Sequence, residues 1–122
     1  MKIIVCGGRH SRLRDEDRLW LDALHATHGI TEVVHGGAPG IDSDADEWAR
    51  ERHIPITIFE ALWNKYGTSS GPKRNMIMLQ YLAKHHPTQP YMVIAFPGGR
   101  GTADMVTQAH CAHVPVLHAR ER

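Results

Sequence analysis

The amino-acid sequence predicts a three-layer α/β domain built on a five-stranded parallel sheet. Five short apolar runs, rich in β-branched residues, are typical of buried parallel strands. The segments between them repeat apolar residues at the spacing of an amphipathic helix. The length of 122 residues suits one domain over 1–122, and 42% hydrophobic with 22% charged residues suits a soluble globular core. Strands and helices therefore alternate along the chain, with right-handed crossovers between the strands.

The five strands are expected at the apolar runs, in chain order Ile3–Cys6, Val33–Val34, Ile54–Phe59, Tyr91–Phe96 and Val114–Leu117. Four helices are expected between them. The positions that give these helices their period are Leu13, Trp20, Leu24 and Thr27, then Ile41, Ala45, Trp48 and Arg52, then Met76, Leu79 and Ala83, then Met105, Ala109 and Ala112. Both tryptophans on these stripes are expected in the core.

The charge balance argues against a dedicated nucleic-acid binder. Fourteen Lys and Arg against 13 Asp and Glu give a formal charge of +1, so any basic function must be local. The apolar runs are far shorter than the roughly 20 residues of a membrane span, and Met1 opens no signal-peptide pattern. We expect a cytoplasmic protein without membrane contact. Cys6 and Cys111 fall in a strand and a helix, where a disulfide framework is not expected.

Ten histidines raise the question of a metal site. His110, Cys111 and His113, or His25 and His28, stand at helical spacing. Zinc generally requires four well-spaced ligands, and the sequence contains neither CxxC nor HExxH. We therefore expect exposed histidines, no metal and no cofactor.

Three of the predicted strands end in glycine-rich loops. These are Cys6–Arg9, His35–Gly40 and Pro97–Thr102. Because the carboxyl ends of parallel strands meet at one edge of a sheet, all three loops should face one crevice. Glycines allow a ligand to approach the backbone closely, and a helix N-terminus that follows favours phosphate. One such loop is explained by a tight turn, but three together indicate a nucleotide or sugar-phosphate site, although neither GxGxxG nor GxxxxGK[ST] is present.

Charges at the helix starts locate the expected phosphate. The helix dipole favours acids in the first turn, and acids open the first two helices. The segment Gly71–Arg74 is expected to begin the third helix with its proline first, so a lysine and an arginine follow at once, and Arg100 precedes the fourth helix. A phosphate bound between Gly71–Arg74 and Pro97–Thr102, also in contact with Arg9, would offset the unfavourable position of these cations at helix starts. The alternative is that these cations reach solvent or pair with an acid.

Three further side chains are candidates for the same edge of the sheet. Asp42 follows the second glycine loop and could accept hydrogen bonds from ribose hydroxyls, or it could cap the second helix. The long connection Glu60–Gly71 holds Trp63 and Tyr66. These rings could stack on a base or anchor the connection on the core.

Four motifs follow one another along nearly the whole chain: Gly7-Gly8-Arg9, Gly36-Gly37-Ala38-Pro39-Gly40-Ile41-Asp42, Gly71-Pro72-Lys73-Arg74-Asn75 and Phe96-Pro97-Gly98-Gly99-Arg100-Gly101-Thr102. In this order they resemble the SLOG superfamily of Rossmann-like nucleotide-binding proteins, and specifically its small YspA-type branch. The resemblance implies a Rossmann-like domain that senses or processes a nucleotide-derived ligand. A nucleoside monophosphate or an ADP-ribose-like molecule would bind at the carboxyl edge of the sheet.

The superfamily includes the LOG-type phosphoribohydrolases, which split the N-glycosidic bond of nucleoside 5′-monophosphates with an arginine and a glutamate. Arg74 matches the arginine, but the glutamate of PGGxGTxxE falls on Met105, which cannot activate water. Asp104 is the nearest carboxylate, turned by about 100° on a helix. Arg74 and Asp104 are therefore the catalytic candidates of this alternative function. The sequence also predicts that Met105→Glu would create or raise AMP hydrolysis.

The resemblance extends to the Rossmann domain of the DNA-uptake protein DprA, which makes single-stranded DNA a less favoured ligand, since a basic stripe is missing. Similarity to LOG-type proteins implies a homodimer formed through helices that flank the site. Phosphate is expected on the glycines and threonine of Gly98–Thr102, neutralised by Arg74 and Arg100, with Asp42 at the sugar. The full set of expected ligand contacts is Gly7, Gly8, Arg9, Gly36, Gly37, Asp42, Lys73, Arg74, Asn75, Pro97, Gly98, Gly99, Arg100, Gly101 and Thr102.

Overall fold

A parallel sheet forms the centre of the fold, as the sequence predicts. The structure is a computed structural model that describes residues 1–61 and 67–121. The strands within these ranges are β1 (Lys2–Cys6), β2 (Glu32–His35), β3 (Ile56–Ile58), β4 (Tyr91–Ala95) and β5 (Val116–His118). They pair in the order β3-β2-β1-β4-β5, and every pairing is parallel. The predicted fold class is confirmed.

Four α-helices connect the strands within the described residues. They are α1 (Asp15–His28), α2 (Ile41–Glu51), α3 (Ser70–His85) and α4 (Arg100–Cys111), with short 3-10 turns at Gly67–Ser69 and Ala119–Glu121. The start of α1 matches the expected acidic first turn, and Gly29 directly follows the helix with a φ of 65°, the left-handed conformation that glycine adopts readily. No helix among the described residues is long and apolar enough to cross a membrane.

The third helix begins earlier than the sequence suggests. The expectation that Pro72 is its first residue is wrong, because α3 begins at Ser70 after the 3-10 turn. A proline within the first turn removes no helical hydrogen bond, since those N–H groups have no partner inside the helix. Arg74 is therefore the fifth helical residue rather than a first-turn cation. Arg100 is the first residue of α4 rather than the one before it.

Two apolar layers cover the sheet because alternate residues of each strand point to opposite faces. Ile3 and Val5 of β1 pack in a cluster with α1 and α2, which contains the buried Trp48 and, at its margin, Trp20. Ile4 and Cys6 pack in the other cluster, with residues of α3 and α4.

The order of the strands creates a switch point beside β1. From β1 the chain proceeds to β2 and β3 on one side, and then crosses to β4 on the other side. Helices connecting the strands leave a crevice at such a point, outside the carboxyl ends of the strands. The three glycine-rich loops that follow β1, β2 and β4 all lie at this edge.

Candidate functional site

The three glycine loops are packed against one another at Gly8. The Gly8 N–H donates to the carbonyl of Pro97 at 2.8 Å, and the Gly8 carbonyl accepts from the N–H of Ile41 at 3.3 Å. Gly40 has a φ of 80°, and a Cβ there would lie 2.5 Å from the Gly8 oxygen. The close approach of the first two loops therefore requires glycine at position 40.

Asp44 fixes the segment that leads from the first loop into α1. Its buried carboxylate accepts hydrogen bonds from Nε and Nη2 of Arg12 at 2.8 and 2.9 Å, and from the Leu13 N–H at 2.9 Å. These partners hold the pKa of Asp44 below its usual range, with the Arg12 hydrogen bond as the largest cause.

A cavity of about 450 Å³ lies between the loops at the switch point. Twelve of the residues expected to contact a ligand line it: Gly7, Gly8, Arg9, Gly36, Gly37, Asp42, Arg74, Asn75, Gly99, Arg100, Gly101 and Thr102. Eight further lining residues were not among the expected ligand contacts: Val5, Cys6, Ala38, Pro39, Glu60, Ala61, Gly71 and Met78. All of them except Val5 and Met78 belong to segments that the sequence places at this edge of the sheet.

Three of the expected contact residues do not line this cavity. Pro97 and Gly98 line a neighbouring cavity of about 450 Å³ between β4, β5 and α4, and Thr102 lines both cavities. Lys73 is exposed and lines neither. The two aromatic candidates, Trp63 and Tyr66, lie outside the described residues.

Arg74 crosses the cavity from α3 to the second glycine loop. Its Nη1 donates to the carbonyl of Gly36 at 2.9 Å, and its Nε donates to Oδ1 of Asn75 at 3.0 Å. A Cβ on Gly36 would collide with the Arg74 guanidinium, so glycine is required for this arrangement. The guanidinium keeps further N–H groups that neither bond uses.

Asn75 is a structural connector rather than an open ligand contact. Its Nδ2 donates to the Gly101 carbonyl at 3.1 Å and to Oδ2 of Asp104 at 3.0 Å, while Oδ1 accepts from Arg74. The buried amide thus uses both N–H groups and one oxygen lone pair on the protein. Asn75 thereby ties Arg74 to the first turn of α4.

Asp104 and Met105 both lie outside the cavity. Asp104 accepts from Asn75 and from Nε2 of Gln108, at 2.8 Å for the latter, and does not line the cavity. Met105 has no exposed surface and packs in the apolar cluster beneath α4. A glutamate at position 105 would therefore enter the core instead of the cavity. The sequence-based prediction for Met105→Glu requires a carboxylate that faces the cavity, and position 105 faces the core.

Asp42 ties the second glycine loop together. Its Oδ2 accepts from the N–H groups of Gly36 and Ala38, both at 3.2 Å. The expected alternative of a helix cap is wrong, because Gly40 holds the N-cap position and Asp42 is the second helical residue. Burial raises the pKa of Asp42 above its ordinary value, against the opposing effect of those two N–H groups and of the nearby Arg74.

His35 supports the same loop from below, a role that the sequence reasoning missed. The buried ring accepts the Gly37 N–H at Nδ1 over 3.0 Å, and its Nε2 lies 2.7 Å from Oδ2 of Asp46. Because Nδ1 acts as an acceptor, the proton of the neutral ring is assigned to Nε2, which donates to Asp46. A histidine that ends a buried strand just before two glycines is a weak sequence signal for this role.

The glycines of the Pro97–Thr102 turn fall into two classes. A Cβ on Gly98 would collide with Thr102 Oγ1 and lie 2.7 Å from the Gly8 nitrogen. A Cβ on Gly99 or Gly101 would meet no atom within 4 Å. Neither of these two has a positive φ. Packing therefore explains Gly98, but neither packing nor a positive φ explains Gly99 or Gly101.

The cysteines and histidines form no second chemical centre within the described part of the chain. Cys6 is buried at the floor of the cavity, where burial raises its pKa to about 12, and Cys111 is an exposed free thiol. Such a high pKa leaves the Cys6 thiol uncharged and unreactive at neutral pH. No group of three or more His, Cys, Asp or Glu side chains among the described residues is arranged to hold a metal ion.

Comparison with known proteins agrees with this architecture. The family model described as the YspA, cpYpsA-related SLOG family matches residues 1–66. The chain belongs to this SLOG family. The SLOG match contains the first two glycine loops and Asp42, whereas Arg74 and the Pro97–Thr102 turn lie beyond it.

A phage protein resembles nearly the whole SLOG chain. The chain is 32% identical to the Gene 61 protein of Mycobacterium phage D29 over 127 aligned residues, which cover 96% of this chain and 94% of the phage protein. No solved structure matches the chain.

Proposed function

We propose that this SLOG protein binds a nucleotide-derived ligand at the switch-point cavity, with a phosphate on the first turn of α4. The ligand is of the class of nucleoside monophosphates and ADP-ribose-like molecules. The free N–H groups of a helix start donate to phosphate oxygens, and the helix dipole adds favourable charge. Membership of the SLOG family supports the ligand class, and a cavity of about 450 Å³ suits a ligand of this size.

The observation that carries this proposal is the open space beside Gly99 and Gly101. The described fold gives no steric reason for glycine at either position, and neither glycine has a positive φ. Both glycines line the cavity at the start of α4, where side chains would cover the backbone N–H groups. A phosphate that must approach this backbone supplies the missing reason.

Three arginines supply the opposite charge. Arg74 is held in place by Gly36 and Asn75 before any ligand arrives, so little of its conformational freedom is lost on binding. Arg9 and Arg100 line the same cavity with exposed side chains. Guanidinium groups pair with phosphate through two parallel N–H donors, which suits this arrangement.

Binding is favoured over the phosphoribohydrolase alternative. The position that holds a glutamate in those enzymes is Met105 in the apolar core, and Asp104 is occupied by Asn75 and Gln108 outside the cavity. Neither residue can reach a ligand in the cavity as the structure stands. No observation on the structure favours single-stranded DNA.

A thermal-shift experiment with two variants tests the proposal. AMP and ADP-ribose are added at millimolar concentration, with adenine as the control without phosphate. A ligand at about 100 times its dissociation constant stabilises the folded protein by about 2.7 kcal/mol. Arg74→Ala should remove most of the shift. Lys73→Ala is the matched control, since it removes the same charge from the same helix but does not line the cavity.

The result has two informative failures. If neither nucleotide changes the melting temperature, the proposed function is wrong. If Arg74→Ala and Lys73→Ala weaken binding equally, the attraction is a general effect of charge and the ligand does not occupy this cavity. Free base and ribose 5-phosphate are assayed in the same samples. Rapid release by the unaltered protein would show that it is an enzyme.

A further inference from the structure

One oxygen of Asp42 is open toward the cavity. Oδ2 accepts both loop N–H groups, whereas Oδ1 accepts no hydrogen bond from the described residues. Asp42 is only 5% exposed, yet it lines the cavity. No fully buried side-chain oxygen or nitrogen of the described residues lacks a partner, so Oδ1 must keep contact with the cavity. A buried acceptor is thus directed at the space where the ligand is proposed to lie.

The negative charge of Asp42 is not required by the loop that it supports. The two bonds at Oδ2 need only an acceptor, and the amide oxygen of asparagine would serve equally well. Burial of a carboxylate costs free energy unless its charge is fully paired. Arg74 lies near Asp42, but its hydrogen bonds go to Asn75 and Gly36, so the Asp42 charge is only partly paired. A partner supplied by the ligand would account for the charge.

We propose that Asp42 accepts a hydrogen bond from a sugar hydroxyl, so that the site selects ribonucleotides over deoxyribonucleotides. This inference rests on the proposed function. A carboxylate accepts and does not donate, so its ligand partner must carry a donor. With phosphate on α4, the sugar is the part of a nucleotide joined to that phosphate, and its hydroxyls are neutral donors. A phosphate group placed directly against Asp42 would be repelled by its carboxylate and by that of Glu60, which lines the same cavity.

The chosen probes differ by one hydroxyl each. Dissociation constants are measured by calorimetry for AMP, 2′-deoxy-AMP and 3′-deoxy-AMP on the full chain. A hydrogen bond to a charged group contributes about 1.5–3 kcal/mol, so one deoxy compound should bind about 10- to 100-fold more weakly than AMP. Ribose 5-phosphate and 2-deoxyribose 5-phosphate, compared by NMR titration, test whether the base contributes to the difference.

Asp42→Asn separates recognition from support of the loop. Asparagine keeps the oxygen that accepts from Gly36 and Ala38 and replaces the open carboxylate oxygen with an amide N–H₂ group. We expect the ratio between the dissociation constants of the poorly bound deoxy compound and AMP to fall below about threefold. The ratio is compared because loss of the charge also alters the affinity for all three nucleotides alike. A purely structural role would leave this ratio unchanged, which would overturn the inference.

The preference should also depend on pH, because only the ionised carboxylate accepts strongly. The groups that face Asp42 are Cys6 on β1, His35 on β2, Glu60 after β3 and Arg74 on α3. The measured quantity is the dissociation constant of the poorly bound deoxy compound divided by that of AMP. Titration of the phosphate affects both constants equally and cancels in this ratio. The ratio should approach one as the pH falls through the raised pKa of Asp42.

Three outcomes separate failure of this inference from failure of the proposed function. Equal affinity for AMP and both deoxy compounds overturns the inference and leaves nucleotide binding intact. Absence of binding by every nucleotide overturns both. A preference that follows the base and is absent from the sugar phosphates also overturns the inference, since it would assign the open oxygen to an exocyclic amine.

Discussion

Replacement of Gly101 by alanine should change stability and ligand affinity in opposite directions. A Cβ at this position of α4 meets no atom within 4 Å. Alanine is therefore accommodated, and in a helix it is favoured over glycine by about 0.5–1 kcal/mol. The melting temperature of the free protein should rise by a few degrees, since 1 kcal/mol corresponds to about 3–5 °C for a domain of this size.

The same methyl group would occupy space that the proposed phosphate needs. Overpacking of a filled site costs about 1–3 kcal/mol, so AMP should bind about tenfold more weakly or worse. Thermal melting of the free protein and calorimetric titration with AMP measure the two effects separately. His110→Ala is the control on the same helix, because His110 is exposed and lines neither cavity.

Gly98→Ala provides the opposite case within the same turn. Its Cβ would collide with Thr102 Oγ1 and approach the Gly8 nitrogen, which is bonded to the Pro97 carbonyl. We expect a loss of about 1–3 kcal/mol of stability. The reasoning is refuted if Gly101→Ala binds AMP as tightly as the unaltered protein, because the open space would then not belong to the ligand.

The remaining predictions concern the core, pH and assembly. Met105→Glu should cost about 3 kcal/mol or more and create no AMP hydrolysis, measured by urea unfolding and base release, because the carboxylate enters the apolar core. Asp44→Asn should lower the free energy of unfolding at pH 7 by about 1 kcal/mol. Folding lowers the pKa of Asp44, so the stabilisation by its carboxylate is lost as the pH falls through that pKa. The difference in stability between the variant and the unaltered protein should therefore vanish on acidification. The expected homodimer would form through α3, where Met76 and Ile77 are exposed. Sedimentation should then give twice the 13.7 kDa chain mass for the unaltered protein and a monomer for Ile77→Lys. A mass of 13.7 kDa for the unaltered protein at high concentration would refute the dimer.

The fold was predictable from the sequence because its determinants are local. Alternate residues such as Ile3 and Ile4 enter opposite apolar clusters, as expected for a strand covered on both faces. The loops meet at one edge because all of the strands are parallel. The start of α3 was not predictable, since a proline is compatible with several positions in a first turn.

Most of the residues that line the cavity could be placed at this edge from the sequence, but the hydrogen bonds between their side chains could not. The sequence spacing cannot show that the Asn75 amide forms hydrogen bonds with Gly101, Asp104 and Arg74. Gly101 and Asp104 come near Asn75 only when α3 packs beside α4. The same packing places Asp104 outside the cavity, bonded to Asn75 and Gln108. Glycines that look identical in sequence also differ, since Gly98 is surrounded and Gly99 is not.

Asp42 and Asp44 show where the fold and the proposed site make different demands on the same helix. Both carboxylates are buried in the first turn of α2. Asp44 is paired with Arg12, which lowers its pKa, so its ionised form stabilises the folded chain. Burial raises the pKa of Asp42, so its ionised form is a cost that the described contacts do not fully offset. Residues kept at a cost to stability concentrate at binding sites. These opposite shifts agree with the geometry, since both oxygens of Asp44 accept hydrogen bonds from Arg12, whereas Oδ1 of Asp42 is left for the proposed ligand.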